Sequence, residues 1–310
     1  MEVLISSVLT IVGLVMLCFG GNWLVNGGVA IAQKFRVSNL IIGMTIVAYG
    51  TSTPELAASI AAAGEHSAII LGNIIGSNIA NVGMVIGIAA MLVPLAVKKS
   101  VLRKEIPIML GVSVLLVVLS LDGELSQFDG IFLLVGLGIF AIYTFKDAMK
   151  QRDNDLETVS SKGNVVLKSI GFIGIGIVLL YFGAILTVEN AVILAKEFGL
   201  SEKIIGLTVI AIGTSLPELI TSIIAIRKGH SEIGIGNIIG SNIYNILMIM
   251  GVGAALGGVV IASDVYVDYA IMILFSISIL IALKTKLINR TMGICLTMGY
   301  IVYLVTTFFK

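Results

Sequence analysis

Two carboxylates stand where a carboxylate is costly. Glu55 and Glu218 each sit in the middle of an otherwise apolar stretch, inside matching motifs: Gly-Thr-Ser-Thr-Pro-Glu at 50–55 and Gly-Thr-Ser-Leu-Pro-Glu at 213–218. A second matched pair follows, Gly-Asn-Ile-Ile-Gly-Ser-Asn-Ile at 72–79 and again, unchanged, at 236–243. Pro54 suits the first turn of a new helix, with Thr53 or Ser52 as its cap and Glu55 in that turn. Proline has no N–H, so carbonyls one turn back, near Gly50, lose their helical donor. The expected product is a broken helix that offers free carbonyls, hydroxyls and one carboxylate. Oxygen-only sets of this kind suit hard cations such as Ca²⁺ and Na⁺. The second copy offers the same groups, with Leu216 in place of Thr53.

The elements that must hold these groups lie in a bilayer. The chain has 310 residues, 58% hydrophobic and only 12% charged, about half the charged fraction of a soluble domain. Apolar runs near the roughly 20 residues that cross a membrane recur along its length. Ten are read, at 4–33, 38–63, 68–96, 104–121, 127–146, 165–195, 202–226, 233–260, 266–283 and 291–309. The fold class is therefore an all-α polytopic membrane protein, with no sizeable soluble domain. A net charge of +1 gives no reason to expect a nucleic-acid partner. Glu2, with no basic residue before the first apolar run, argues against a cleaved leader.

In that setting the alternative reading of the glutamates weakens. A glutamate in a helix's first turn is favoured by the helix dipole alone, and Ser/Thr-Pro is an ordinary start signal. Near mid-membrane, however, an ionised acid needs a partner, and no Lys or Arg inside the spans is placed to neutralise either one. Two such acids at equivalent positions call for a cation. Ser77 and Asn81, four residues apart, share a helix face, as do Ser241 and Asn245. Gly72, Gly76, Gly236 and Gly240 read as helix-packing residues. Asn73, Asn78, Asn237 and Asn242 read as helix-to-helix hydrogen bonders rather than ligands. Gly20, Gly21, Asn22, Asn26, Gly27 and Gly28 in the first span, and Gly183, Glu189 and Asn190 in the sixth, leave packing and mobile gating helices as equal readings. Glu189 falls near an interface and is not counted as a site carboxylate. His66 and His230 read as solvated loop residues, and Cys18 and Cys295 as small core residues.

The basic residues orient the spans. Lys34 and Arg36; Lys98, Lys99, Arg103 and Lys104; Lys146, Lys150, Arg152, Lys162 and Lys168; Arg227 and Lys228; and Lys284, Lys286 and Arg290 all fall on one face. Of the 19 Lys and Arg, only Lys196, Lys203 and Lys310 fall on the other. The positive-inside rule makes the basic face cytoplasmic, so both termini are expected outside. The polar insert 147–164 reads as a cytoplasmic linker, with regulation as the alternative.

The motifs also expose an internal repeat. Residues 18–57 align with 181–220 at an offset of 163, and 72–81 with 236–245 at 164. The halves are 1–146 and 165–310, five spans each. An odd span count turns the second copy upside down, the architecture of secondary transporters with a site near the midplane.

At these residues the chain resembles the Ca²⁺/cation antiporter superfamily, and is most similar to the prokaryotic and archaeal Na⁺/Ca²⁺ exchangers. The resemblance covers nearly the whole sequence. The H⁺/Ca²⁺ branch typically has Gly-Asn-x-x-Glu at the first site, so Gly50-Thr51-Ser52 points to the sodium branch. The resemblance implies that Glu55 and Glu218 are shared Ca²⁺ and Na⁺ ligands, with oxygens from Thr51, Ser52, Ser77, Thr214, Ser215 and Ser241. It adds the carbonyls of Ala48 and Ala211, and Asn81 and Asn245. K⁺-dependent relatives have Asp at one of the last two positions, so two asparagines imply K⁺ independence. It further implies exchange of three Na⁺ per Ca²⁺. With both carboxylates in one chain, alternating access in the cell membrane by a monomer is expected, with no cofactor beyond the transported ions and no enzymatic activity. A cation channel would need a continuous pore, usually from several subunits. An intramembrane hydrolase would need a nucleophile with a general base, and the Ser-rich motifs supply none.

Overall fold

A chain this apolar must satisfy its backbone hydrogen bonds internally, and helices do so within each segment. The computed structural model describes residues 2–63, 67–153, 164–199 and 211–308. It is helical throughout, apart from two short strand pairs. The first half contains α1 (Glu2–Phe35), α2 (Asn39–Ile42), α3 (Ala48–Thr51), α4 (Thr53–Ala62), α5 (Ser67–Ala80), α6 (Gly87–Leu92), α7 (Lys99–Arg103), α8 (Glu105–Leu119) and α9 (Gln127–Asp153). The second contains α10 (Asn164–Glu197), α11 (Ala211–Thr214), α12 (Leu216–Arg227), α13 (Ser231–Tyr244), α14 (Gly251–Gly257), α15 (Val265–Ser278), α16 (Ala282–Thr285) and α17 (Arg290–Phe308). Among the described residues three π-helical turns, Gly43–Val47, Asn81–Ile86 and Asn245–Met250, join α2 to α3, α5 to α6 and α13 to α14.

Among the described residues, six helices are long and apolar enough to cross a membrane: Val3–Phe35, Ser67–Leu92, Gln127–Lys150, Val165–Glu197, Ser231–Gly257 and Val265–Thr285. Ser67–Leu92 and Ser231–Gly257 form the centre, with 83% of their apolar windows buried, against 22–28% for the other four. The largest hydrophobic cluster surrounds them, including Ile74, Ile79, Val85, Ile238, Ile243 and Ile249.

Some boundaries differ from the sequence reading. The third span stops at Leu92, ahead of Pro94, and the eighth at Gly257, ahead of Gly258 with φ +71°. The residues beyond form strands: β1 (Leu95–Ala96) pairs antiparallel with β4 (Leu287–Ile288), and β2 (Glu124–Leu125) with β3 (Val259–Val260). Helix α9 runs on to Asp153, into the segment read as a linker, whose residues 154–163 lie outside the described residues. Cys18 and Cys295 are exposed on outer helix faces, not in the core, because Leu17 and Leu296 beside them take the inward positions.

Contacts between loops respect the charge pattern. Lys98 pairs with Glu232 at 2.5 Å, and Ser67 accepts the Val260 N–H at 3.1 Å. Each of these contacts, like each strand pair, joins segments that the basic-residue count puts on one face.

Helices α1 and α10 meet through glycines. A Cβ at Gly20 would stand 2.9 Å from the Gly176 carbonyl, and one at Gly176 2.9 Å from that of Gly20; Gly13 and Gly183 meet the same way at 2.9 and 3.0 Å. Positions 13 and 20 match 176 and 183 at the repeat offset of 163, so one small-residue seam serves both halves. Lys228 fastens the end of α12 to α1, donating to Asn22 Oδ1 at 2.5 Å and Asn26 Oδ1 at 2.6 Å.

Candidate cation site

The two Thr-Ser-x-Pro-Glu segments each interrupt a helix at a single residue. Ser52 has φ −83° and ψ 10°, and Ser215 φ −86° and ψ 2°, each just before the helix that starts α4 or α12. Pro54 and Pro217 fall in the first turn and leave the Gly50 and Gly213 carbonyls without the usual donor four residues on. The break is narrower than expected, since Ser52 N–H still reaches the Ala48 carbonyl at 3.0 Å. Nor do Ser52 or Thr53 act as side-chain caps. The Ser52 hydroxyl instead donates to Glu218 Oε1 at 3.0 Å, across the repeat boundary. Thr53 turns outward and bonds the Tyr49 carbonyl at 3.1 Å.

The residues singled out by the motifs converge. Glu55 and Glu218 are each 1% exposed, and no basic side chain among the described residues partners either. Ser241 lies 3.4 Å from Glu218 Oε1 and 3.5 Å from the Thr51 hydroxyl. Thr51 also has Asn237 Oδ1 at 3.0 Å and the Ala48 carbonyl at 3.3 Å. One hydroxyl has one proton, and the shorter contact to Asn237 leaves the Ala48 carbonyl with acceptor capacity. Ala48, Thr51, Ser52, Ser77, Asn81, Ser215, Ser241 and Asn245 are all buried. Thr214 is half-buried, unlike its counterpart Thr51. Ala211 opens α11, and the segment before it lies outside the described residues.

Six of the motif residues share a further property. Glu55 Oε2, Glu218 Oε2, Ser77 Oγ, Ser215 Oγ, Asn81 Oδ1 and Asn245 Oδ1 are buried oxygens without a hydrogen-bond partner among the described residues. Leaving buried acceptors unmet costs about 1–3 kcal/mol each, and more for a charged group. The set joins both carboxylates and both asparagines, which are repeat counterparts, with one serine from each half, and a cation would satisfy such acceptors.

The asparagines bond helix to helix, as read, but two of their serine partners, Ser59 and Ser222, were not singled out. Asn237 bridges Thr51 to Ser222, whose hydroxyl accepts from Asn237 Nδ2 at 3.0 Å; Asn73 reaches Ser59 at 3.2 Å. Ser59 and Ser222 differ by 163, so the repeat offset was the signal that could have found them. The π-turns were also missed, and two begin on Asn81 and Asn245. Such turns are frequent at functional sites. Glu189 is exposed and His230 is partly exposed; His66 lies outside the described residues.

The family model described as "Sodium/calcium exchanger protein" matches residues 5–146 and 168–309. The chain belongs to the sodium/calcium exchanger family. The exchanger MaX1 of Methanosarcina acetivorans is 33% identical over 349 residues, covering 98% of this chain and 99% of its own. The inner membrane protein YrbG of Escherichia coli is 38% identical over 312 residues, covering 97% and 96%. A solved structure of the sodium-calcium exchanger NCX_Mj, soaked with Na⁺ and Sr²⁺, superposes with a TM-score of 0.86 at 32% identity, covering 98% of this chain and 99% of that one. This exchanger is therefore a multi-pass membrane protein of an antiporter family.

Proposed function

We propose that this exchanger moves Na⁺ against Ca²⁺ through one midplane site used alternately by the two ions. The observation that carries this is the set of six buried oxygens, Glu55 and Glu218 among them, without a hydrogen-bond partner among the described residues. The ligand set is Ala48, Thr51, Ser52, Glu55, Ser77, Asn81, Ala211, Thr214, Ser215, Glu218, Ser241 and Asn245. Ten spans in two inverted halves, 1–146 and 165–310 about the 147–164 linker, supply it from both directions, with both termini outside. The chain carries both carboxylates itself, so a monomer suffices.

Charge sets the exchange. Two carboxylates balance one Ca²⁺; two Na⁺ are neutral as well, and a third leaves the loaded site positive. Because one carboxylate pair serves both ions, equilibrium ⁴⁵Ca²⁺ binding should fall as Na⁺ rises. Binding indifferent to saturating Na⁺ would show separate sites and end the shared-site reading.

Two finer expectations follow. With three Na⁺ per Ca²⁺ each cycle moves one net charge, worth about 2.3 kcal/mol per 100 mV. An inside-positive potential on Na⁺-loaded proteoliposomes should then speed Ca²⁺ uptake; uptake indifferent to a valinomycin-clamped voltage would favour two Na⁺. Asn81 and Asn245 add no third negative charge for K⁺ to balance. Adding K⁺ at fixed Na⁺ and osmolarity should leave Ca²⁺ flux unchanged, and a strict K⁺ requirement would refute that assignment.

A further inference from the structure

We infer that Asn78 and Asn242 are positioning residues, each holding the amide of the other half's ligand asparagine so that an oxygen faces the cation. The inference deepens the exchange reading above and rests on it. A side-chain amide has two ends of nearly equal shape; the oxygen attracts a cation and the NH₂ repels it. What selects the end is the partner of the NH₂. Asn81 Nδ2 donates to Asn242 Oδ1 at 2.9 Å, and Asn245 Nδ2 donates to Asn78 Oδ1 at 2.9 Å. Asn81 Oδ1 and Asn245 Oδ1 are the ends left buried and unpartnered.

The holders are themselves held. Asn78 Nδ2 lies 3.4 Å from the Asn242 carbonyl and 3.6 Å from Met272 Sδ; Asn242 Nδ2 lies 3.5 Å from the Asn78 carbonyl and 3.5 Å from Met109 Sδ. Met109 and Met272 are again 163 apart. All four asparagines are 1% exposed, so bulk water does not compete for these bonds. The result is a closed, two-fold cluster in which each half orients a ligand of the other. Loss of Asn242 Oδ1 would leave the Asn81 NH₂ without an acceptor and free the amide to turn that end toward the ion.

A double-mutant cycle tests this in the full-length protein. Half-saturating Ca²⁺ for Na⁺-gradient-driven uptake is measured for the parent, Asn242→Leu, Asn81→Asp and the double variant. Asn242→Leu should raise it roughly 10–100-fold, the range for lost outer-shell partners of metal ligands. A carboxylate has two equivalent oxygens and no orientation to lose, so Asn242→Leu should cost less than about threefold in the Asn81→Asp background. Equal losses in both backgrounds, or no loss in Asn242→Leu alone, would overturn the inference. The mirror cycle, Asn78→Leu with Asn245→Asp, makes the same demand and stands in if an Asn242 variant does not purify as a monodisperse protein. A parent with no Na⁺-driven uptake would instead sink the exchange reading, and this inference with it.

Discussion

Glu55→Gln and Glu218→Gln should each abolish Na⁺-driven Ca²⁺ uptake while leaving the protein folded. A neutral amide cannot balance half of a divalent charge in a water-poor site, where Coulomb terms are several-fold larger than in water. The loss should exceed roughly 100-fold in initial rate, equivalent to about 2.7 kcal/mol. Glu218→Gln also weakens the acceptor for Ser52 and Ser241, so it should be at least as severe as Glu55→Gln. Stability separates this from simple damage. Removing an uncompensated buried charge relieves a desolvation cost, so both variants should melt at or above the parent temperature without cations. Added Ca²⁺ should raise the parent's Tm and leave the variants unmoved. Near-parental uptake in either variant would remove the pair of carboxylates from the account.

The second large effect comes from a residue with no side chain. Helix α13 packs its Gly236 and Gly240 directly on the segment from α2 to α3: a Cβ at Gly240 would stand 2.6 Å from the Met44 carbonyl and 2.7 Å from Ala48 Cβ, and one at Gly236 2.5 Å from the Leu40 carbonyl. Backbone atoms cannot swing aside, so an added methyl must push the helices apart, at about 1–3 kcal/mol for an overpacked contact. Ala48 and Thr51 ride on the displaced segment, and Thr51 loses its 3.0 Å contact with Asn237. Gly240→Ala should therefore cut Ca²⁺ uptake at least tenfold by our estimate, since a 1 Å misplacement can cost that much or more. Gly174→Ala, whose added methyl meets nothing within 4 Å, is the matched control and should transport normally. Parental flux in Gly240→Ala would mean that the α13 contact does not set the site geometry.

Much of this molecule was readable from its residues, for physical reasons that also mark the limits. Apolar runs and basic loops are strong signals in a membrane protein, and the offset of 163 located the matching acids. The proline breaks were legible too, because Pro54 and Pro217 remove a backbone donor wherever they stand. What Ser52 does was not: a serine before a helix normally caps it, and only the approach of the second half turns its hydroxyl to Glu218. Strands of two residues carry no periodicity, so the β1–β4 and β2–β3 pairs were invisible. The π-turns at Asn81 and Asn245 likewise leave no mark in composition. The buried asparagines could be read as bonding helices together, but which atom each bonds depends on the crossing of α5 and α13.

Sodium-gradient-driven ⁴⁵Ca²⁺ uptake into proteoliposomes containing only this protein tests the central claim most directly. With Na⁺ inside and none outside, Ca²⁺ should accumulate above its external concentration, and collapsing the Na⁺ gradient should release it. Ca²⁺ that only equilibrates across the membrane, or that enters equally with or without the Na⁺ gradient, would contradict coupled exchange at a shared site.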